Sequence, residues 1–334
     1  MSSVPDGNNY LAEMIWQGEN TASGTKSAAG RPLSVNEMKD AMVRLFDEAN
    51  RANLDVFREL LAPEFISYGG AGFQDLFGPE AFKQLYLQFY QGLPDLAFRV
   101  THVVAEGDTC GVRGVLSGTH KGNFMGFAPP TGKFVCWTGT ALMRFNKNGL
   151  IDARWQEWDG LGVMQQMGVV PGSPTFDANR QDPPAPQRLS GIYISPNANK
   201  EIFRQLVDEL WNKGNLDFAD KVFYPQAVYV SQPDYKPGSQ GLKSEVSMLR
   251  TAMPDLHVEF NTILADGDMV LGWFKQTGTQ TGSLMGIPAT GKKVTWGQII
   301  IAKFEGGQIV ETWSNEGTLE LMQQMVGGGV SVGA

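Results

Sequence analysis

Two carboxylic acids alternate with tryptophans in the segment WQEWDG, which covers residues 155–160. Side chains alternate between the two faces of a β-strand, so Trp155, Glu157 and Asp159 are expected to share one face. A carboxylate buried beside Trp155 and Trp158 would have its pKa raised towards neutral by desolvation. A base that removes a proton next to a carbonyl group at neutral pH needs such a pKa. The segment is therefore a candidate for acid/base chemistry.

The same half of the chain offers four side chains that could polarise a substrate carbonyl: His120, Arg113, Tyr68 and Arg144. Structural interpretations exist beside this one. His120 is typical of a turn at a strand end, Arg113 could pair on the surface, and Tyr68 lies in a Tyr-Gly-Gly turn. Asp159 could be the N-cap of a following short helix, because aspartate is a favoured cap. The residues alone leave both interpretations open.

The elements that position these residues recur along the chain at an offset of about 160 residues. Pro94-Asp95-Leu96 recurs at 254–256, and MQQM at 164–167 recurs at 322–325. In each copy the hydrophobic pattern predicts a helix, a short strand, a second helix, several strands and a short final helix. Ser34 and Glu37 have the capping-box spacing that marks the start of the first helix. Helices that precede a run of strands indicate an α+β domain, with the helices on one face of an antiparallel sheet.

The repeat divides the 334 residues into two domains of one type. A repeat this long is a whole domain, because solenoid repeats span roughly 20–50 residues. We predict a mobile N-terminal tail over 1–32, a first domain over 33–170, a proline-rich linker over 171–197, a second domain over 198–328 and a short tail over 329–334.

The charge balance excludes some classes of partner. The chain has 27 basic and 35 acidic residues and a net charge of −8, so the basic footprint of a nucleic-acid or anionic-membrane binder is missing. Cys110 and Cys136 are isolated, which indicates neither a zinc site nor a disulfide framework. The first residues lack the pattern of a signal peptide, and no apolar run is long enough to span a bilayer. We therefore expect a cytoplasmic protein without a metal site.

Several ordered motifs together resemble the SnoaL-like polyketide cyclases of the nuclear-transport-factor-2-like superfamily, which also contains the ketosteroid isomerases. The motifs are Pro-Asp-Leu before the sheet, a Gly-Asp turn, GTHKGNFMGFAPPTGK over 118–133, Arg144-Phe145 at a strand end, and GLIDARWQEWDGLGVMQQMG over 149–168. The resemblance covers most of 35–168 and, more loosely, 198–326. It implies two cone-shaped domains, each a strongly curved antiparallel sheet closed by helices around an apolar cavity. It also implies that no metal or organic cofactor takes part.

The resemblance further assigns roles to residues. The last strand of these cyclases carries a W-x-x-x-D pattern whose aspartate is the acid/base group of an intramolecular aldol ring closure, and Trp155 and Asp159 match it. We therefore predict the catalytic residues Asp159 and His120, and the substrate-binding residues Trp155, Arg113, Tyr68, Arg144, Glu157 and Trp137. The predicted substrate is a hydrophobic carbonyl compound in the first cone. An isomerase, dehydratase or hydrolase with the same pocket is an alternative, as is a non-catalytic carrier of a lipophilic small molecule.

The second copy departs from the pattern at the candidate site. It has Asn315 for Glu157, Gly317 for Asp159, Gln280 for His120 and Trp273 for Arg113. We predict that this copy keeps the fold without the acid/base site, and that Glu311 and Glu316 are exposed carboxylates of a strand or turn. Members of the superfamily often form homodimers through their sheets. The two domains are therefore expected to form an intramolecular pseudo-dimer, or the chain a homodimer.

Overall fold

The computed structural model describes residues 30–69, 74–126, 128–172 and 193–327. Most of the predicted N-terminal tail, most of the predicted linker and the C-terminal tail lie outside these residues. Within the described ranges, no helix has both the length and the apolar character needed to cross a bilayer.

The first domain has the predicted order of elements. Its helices are α1 (Val35–Asn50), α2 (Val56–Leu60), α3 (Gly78–Gly92) and α4 (Gly160–Met167). Its strands are β1 (Leu61–Ser67), β2 (Leu76–Phe77), β3 (Ala97–Glu106), β4 (Thr109–Thr119), β5 (Phe134–Phe145) and β6 (Ile151–Trp158), which form a sheet in the order β2-β1-β6-β5-β4-β3. The predicted capping box is present, because Ser34 Oγ accepts from the Glu37 backbone N–H and the Glu37 carboxylate accepts from Ser34 N.

The second domain repeats this order. Its helices are α5 (Pro196–Val207), which continues into a π-helical turn (Asp208–Asn212), then a 3-10 turn (Leu216–Phe218), α6 (Ala219–Val222), α7 (Gln240–Ala252) and α8 (Thr318–Val326). Its strands are β7 (Phe223–Tyr229), β8 (His257–Asp266), β9 (Met269–Thr279), β10 (Lys293–Glu305) and β11 (Gln308–Glu316), in the order β7-β11-β10-β9-β8. The sheets are not purely antiparallel as expected, because β1 and β7 run parallel to β6 and β11. One long helix and most of the other strands lie between the two strands of each parallel pair, which provides the long connection that such a pair requires.

Each sheet has an inner face, which packs against the helices of its own domain, and an outer face, which packs against the other domain. On the inner face of the first sheet, Met42 and Leu45 of α1 join the same core as Val112 and Met143 of the strands. The register of β3 with β4 shifts at Thr101, and that of β8 with β9 shifts at the matching position. Bulges of this kind bend a sheet. We call the space between each inner face and its helices the first cone and the second cone.

The outer faces form an apolar layer between the domains. Its buried residues are Val104, Leu142, Leu264, Leu271, Ile299, Ile301 and Trp313. The polar contacts beside it are reciprocal. Ala105 N donates to Asp266 Oδ2 (3.1 Å), and Ala265 N donates to Glu106 Oε2 (2.8 Å). Matching residues thus make the same bond in opposite directions, as in a two-fold symmetric dimer, and the domains pack as an intramolecular pseudo-dimer.

Candidate active site

Strand β6 sends alternate side chains to opposite faces of the first sheet. Trp155 and Glu157 share one face, as predicted, but it is the outer face. The Trp155 ring lies 5.5 Å from that of Trp273 in the second domain, measured between centroids. A Cβ placed on Gly297 of β10 would lie only 1.8 Å from Glu157 Oε1, so the carboxyl group is seated against that glycine. Trp155 and Glu157, both predicted to bind substrate, therefore do not line the first cone.

Tyr68 and Arg144 gather around Trp155 on the same outer side. The rings of Tyr68 and Trp155 are stacked, with centroids 5.2 Å apart. The Arg144 guanidinium lies 5.9 Å from the Trp155 ring centroid, and its Nε donates to Asp152 Oδ1 (2.8 Å). These contacts place both predicted substrate-binding residues outside the first cone.

Arg113 and Trp137 lie on opposite faces of the first sheet. Arg113 is buried at the domain interface, where it donates to Thr101 Oγ1 (3.2 Å) and to Ser231 Oγ of the second domain (3.5 Å). Trp137 faces the first cone, with its ring 6.5 Å from that of Trp158. Of the predicted substrate-binding residues, Trp137 is thus the one whose side chain enters this cone.

Asp159 is the N-cap of α4, the structural interpretation that the sequence left open. Its Oδ1 accepts a hydrogen bond from Gly162 N (2.8 Å), and the half-buried carboxylate lies past the end of β6. A cap of this type stabilises a helix by about 1 kcal/mol. The contact accounts for an aspartate at this position without an acid/base role.

His120 holds the loop between β4 and β5. The imidazole is fully buried, and its Nδ1 accepts from Thr131 N (3.3 Å). Desolvation lowers its pKa. In the second domain the matching Gln280 accepts from Thr290 N (3.2 Å) in the same way. The two residues therefore brace the same loop in both domains.

Glu157 is a carboxylic acid held between the domains. It is 8% exposed, and burial raises its pKa to about 8, with a further increase from the charges of Glu320 and Glu316. A hydrogen bond with Trp273 lowers this pKa and so partly offsets the increase. At neutral pH the group is therefore mostly protonated.

The second cone contains a cavity between the inner face of its sheet and helices α5 and α7. It is lined by Phe203, Leu206, Trp211, Phe223, Tyr229, Gln232, Leu242, Glu245, Gln298, Ile300, Ile309, Thr312 and Ser314. The lining is mostly apolar, and Glu245 is its carboxylic acid.

Two carboxyl groups interact in this cone. Glu245 accepts a hydrogen bond from Tyr235. Glu316, at the end of β11, accepts from Trp296 Nε1 (2.7 Å) and from Gln276 Nε2 (3.3 Å). Glu316 is therefore not the exposed carboxylate that the sequence predicted, and the second cone has acidic groups that the comparison of the two copies did not find.

Strand alternation explains where Glu316 lies. Asn315 Nδ2 donates to Thr138 Oγ1 of the first domain (2.8 Å), so Asn315 faces outward. The next residue in a strand faces the opposite way, which places Glu316 inside the second cone. Glu311, the other carboxylate expected to be exposed, is half-buried and forms an ion pair with Lys303 (2.9 Å).

The two carboxyl groups differ in how well their ionised forms are stabilised. Burial raises the pKa of both, and the charge of Glu316 raises the pKa of Glu245 further. Hydrogen bonds from Trp296, Gln276 and Thr318 favour the carboxylate of Glu316, whereas Glu245 accepts one from Tyr235. Interacting carboxyl groups of this kind titrate as a pair. Burial and the charge of Glu316 therefore both favour the protonated form of Glu245.

Trp211 adds a hydrogen-bond donor to the cavity wall. The residue is 1% exposed, and its indole N–H has no partner in the part of the chain that the structure describes. A buried donor without a partner costs about 1–3 kcal/mol. A carbonyl oxygen in the cavity would satisfy it. The residues that line the cavity thus include a titratable carboxyl group and an indole whose N–H has no partner among the described residues.

Comparison with known proteins gives one family and several structures. The family model for SnoaL-like polyketide cyclases matches residues 40–167 and again 201–325. TsrD from Streptomyces laurentii is 21% identical and covers 40% of this chain and 98% of its own, with a TM-score of 0.38. A SnoaL-like protein from Jannaschia sp. CCS1 is 28% identical over 44% and 100% of the two chains, with a TM-score of 0.38. AclR from Streptomyces galilaeus is 27% identical over 40% and 100%, with a TM-score of 0.37. No curated protein matches the chain.

Proposed function

The chain belongs to the SnoaL-like polyketide cyclase family, and from this we propose that it is a cofactor-independent enzyme that catalyses an intramolecular aldol ring closure of a hydrophobic carbonyl substrate. The observation that carries the proposal is the half-buried pair Glu245 and Glu316 beside the cavity of the second cone. We propose a cytoplasmic location, because neither Cys110 nor Cys136 forms a disulfide bond and reducing compartments keep cysteines in the thiol form.

Glu245 is the group that moves the proton. As a carboxylate it takes a proton from the carbon next to a substrate carbonyl, which leaves an enolate. The enolate carbon attacks a second carbonyl of the same molecule, so that a carbon–carbon bond forms and that carbonyl becomes an alkoxide. The Glu245 carboxylic acid then gives its proton to the alkoxide and returns to its starting form. A positioned acid/base group of this kind contributes roughly 10²–10⁴-fold to the rate.

Two neighbours support this step. The Trp211 N–H donates to the carbonyl oxygen on which negative charge develops, and a donor fixed in place before the reaction needs no reorganisation. Glu316 acts through its charge, which keeps the pKa of Glu245 above the ordinary value. A base is most effective when its pKa is near the working pH. Glu316 is therefore a positioning residue rather than a catalytic one.

The first cone is the second candidate for the active site. Its support is the match of Trp155 and Asp159 to the W-x-x-x-D pattern of the family. The contact of Asp159 with Gly162 N is that of a helix cap, which is why we rank this site below the second cone. An isomerase, dehydratase or hydrolase would use the same proton transfer at Glu245 with a different substrate.

Exchange of the α-protons of 2-tetralone in D₂O, followed by proton NMR, tests the proposal on the full chain. We expect exchange above the buffer rate that rises with pH as Glu245 loses its proton and then levels off. Glu316→Gln removes the neighbouring charge and lowers the pKa of Glu245. The increase in exchange rate should therefore begin about one pH unit lower. Glu311→Gln is the matched control and should leave the profile in place, because Glu311 pairs with Lys303 instead.

Two results would contradict the proposal. Exchange no faster than in buffer alone indicates a carrier without acid/base chemistry. A profile that is the same in Glu316→Gln and in the unmodified chain means that Glu316 does not control the reacting group.

A further inference from the structure

Arg154 is a buried cation on the inner face of β6. The residue is 9% exposed, and its guanidinium lies 5.1 Å from the ring centroid of Phe82. Nη1 donates to Ser67 Oγ (2.9 Å), and Nη2 donates to Gln156 Oε1. Nε has no hydrogen-bond partner in the described ranges. One donor of the guanidinium is therefore left unsatisfied inside the first cone.

The surroundings of Arg154 do not neutralise its charge. Its partners among the residues that the structure describes are a hydroxyl, an amide and an aromatic ring, all of them neutral. Arginine stays protonated in proteins. Burial of a charge without a partner of opposite sign is strongly unfavourable. Folding alone gives no reason for this residue, whereas binding of an anion would.

The two cones differ in charge as well as in shape. The second domain has neutral, smaller side chains at the matching positions. Arg154 corresponds to Thr312, Gln156 to Ser314 and Tyr86 to Val246. The acidic residues of the second domain are likewise absent from the first, where Leu85 corresponds to Glu245 and Trp158 to Glu316. One cone is therefore cationic and the other acidic, so the two copies are not equivalent binding sites.

The walls around Arg154 suit a flat apolar molecule. Tyr86, Gln156 and Trp158 are half-buried and lie on the inner side of the first domain. Phe82 and Tyr86 pack with ring centroids 5.3 Å apart. Burial raises the pKa of Tyr86 to about 12, so its hydroxyl keeps the proton and can donate. The planar guanidinium can offer Nε–H and an adjacent N–H side by side, which matches the two oxygens of a carboxylate.

We infer that the first cone binds a hydrophobic small molecule that carries a carboxylate, with Arg154 as the group that holds the carboxylate. The ligand supplies the negative charge that the fold does not, and the aromatic side chains pack against its apolar part. This site is separate from Glu245 in the other domain, so it does not depend on the proposed reaction.

Isothermal titration calorimetry of the full chain with 2-naphthoate tests the inference, with methyl 2-naphthoate as the uncharged analogue. We expect 2-naphthoate to bind at least about tenfold more tightly than the ester, since the charge-assisted pair is absent from the ester. Arg154→Met should weaken the binding of 2-naphthoate by at least about tenfold and leave the affinity for the ester unchanged. Arg154→Lys keeps the charge without the planar donors, so its affinity for 2-naphthoate should lie between those of the unmodified chain and Arg154→Met. Glu245→Gln, the control in the other cone, should bind 2-naphthoate as the unmodified chain does.

A second readout separates binding from a structural role. Methionine fills the space without the buried charge, so the Tm of Arg154→Met without ligand should equal or exceed that of the unmodified chain. A fall in Tm would assign Arg154 to the fold and overturn the inference. Equal affinity for acid and ester, unchanged binding by Arg154→Met, or no binding of 2-naphthoate at all would overturn it too.

Discussion

Glu245→Gln is expected to lower the α-proton exchange of 2-tetralone by about 10²–10⁴-fold. Glutamine has nearly the shape of glutamate and can still accept the hydrogen bond from Tyr235, but it cannot take or return a proton. The apolar walls and the Trp211 N–H remain in place. The loss should therefore appear in kcat, with KM little changed. Exchange rates measured by proton NMR over a series of 2-tetralone concentrations separate the two constants.

Asp159→Asn is the matched control, because it makes the same acid-to-amide change in the other domain. Asparagine is also a favoured N-cap, so α4 should stay intact. We expect exchange within a few-fold of that of the unmodified chain. If Asp159→Asn removes exchange and Glu245→Gln does not, the active site is in the first cone and our assignment to the second is wrong.

Glu157→Gln is expected to stabilise the folded chain at pH 9 and to change little at pH 5. The pKa of Glu157 is raised from 4.5 to about 8 in the folded state. Between these values folding takes up a proton, so the free energy of unfolding falls as pH rises, and the contribution is lost once pH passes the folded pKa. Glutamine is neutral at every pH, so the free energy of unfolding of Glu157→Gln should not show this decrease. The gain at pH 9 should exceed about 1 kcal/mol, because one pKa unit corresponds to about 1.4 kcal/mol.

Thermal unfolding followed by circular dichroism at pH 5, 7 and 9 measures this effect, which should amount to a few degrees in Tm at pH 9. Glu201→Gln, an exposed glutamate on α5, is the control and should follow the unmodified chain. Because the Glu157 carboxyl group lies against Gly297 of the other domain, the gain reports on the domain interface. Parallel curves for Glu157→Gln and the unmodified chain would show that Glu157 is not held there as the neutral acid.

The architecture could be predicted because its signals are local. The order of elements follows from hydrophobic periodicity, and the start of α1 follows from the spacing of Ser34 and Glu37. The orientation of β6 could not be predicted in the same way. Alternation predicts that Trp155 and Glu157 share a face. Both faces of this sheet are covered, one by helices and one by the second domain, so an apolar neighbourhood does not distinguish inside from outside.

The sequence contains a signal for Glu245 that the comparison of the two copies does not use. Glu245 lies on α7 between Leu242 and Leu249, on a helix whose apolar face the sequence assigns to the core. A charged residue beside a predicted core face is unusual and often marks a site. Glu316 was predicted to be exposed because it precedes the family position, which is Gly317, by one residue. In a strand that single step moves a side chain to the other face.

The protonation of Glu245 beside Glu316 can be observed directly. Carbon-13 NMR of the full chain, labelled at the glutamate Cδ, gives a carboxyl signal for Glu245 that Glu245→Gln identifies by its loss. Titration of this signal should give a pKa well above the ordinary 4.5, and Glu316→Gln should lower it. A Glu245 signal that titrates near 4.5 and does not move in Glu316→Gln would contradict the assignment of the acid/base site to the second cone.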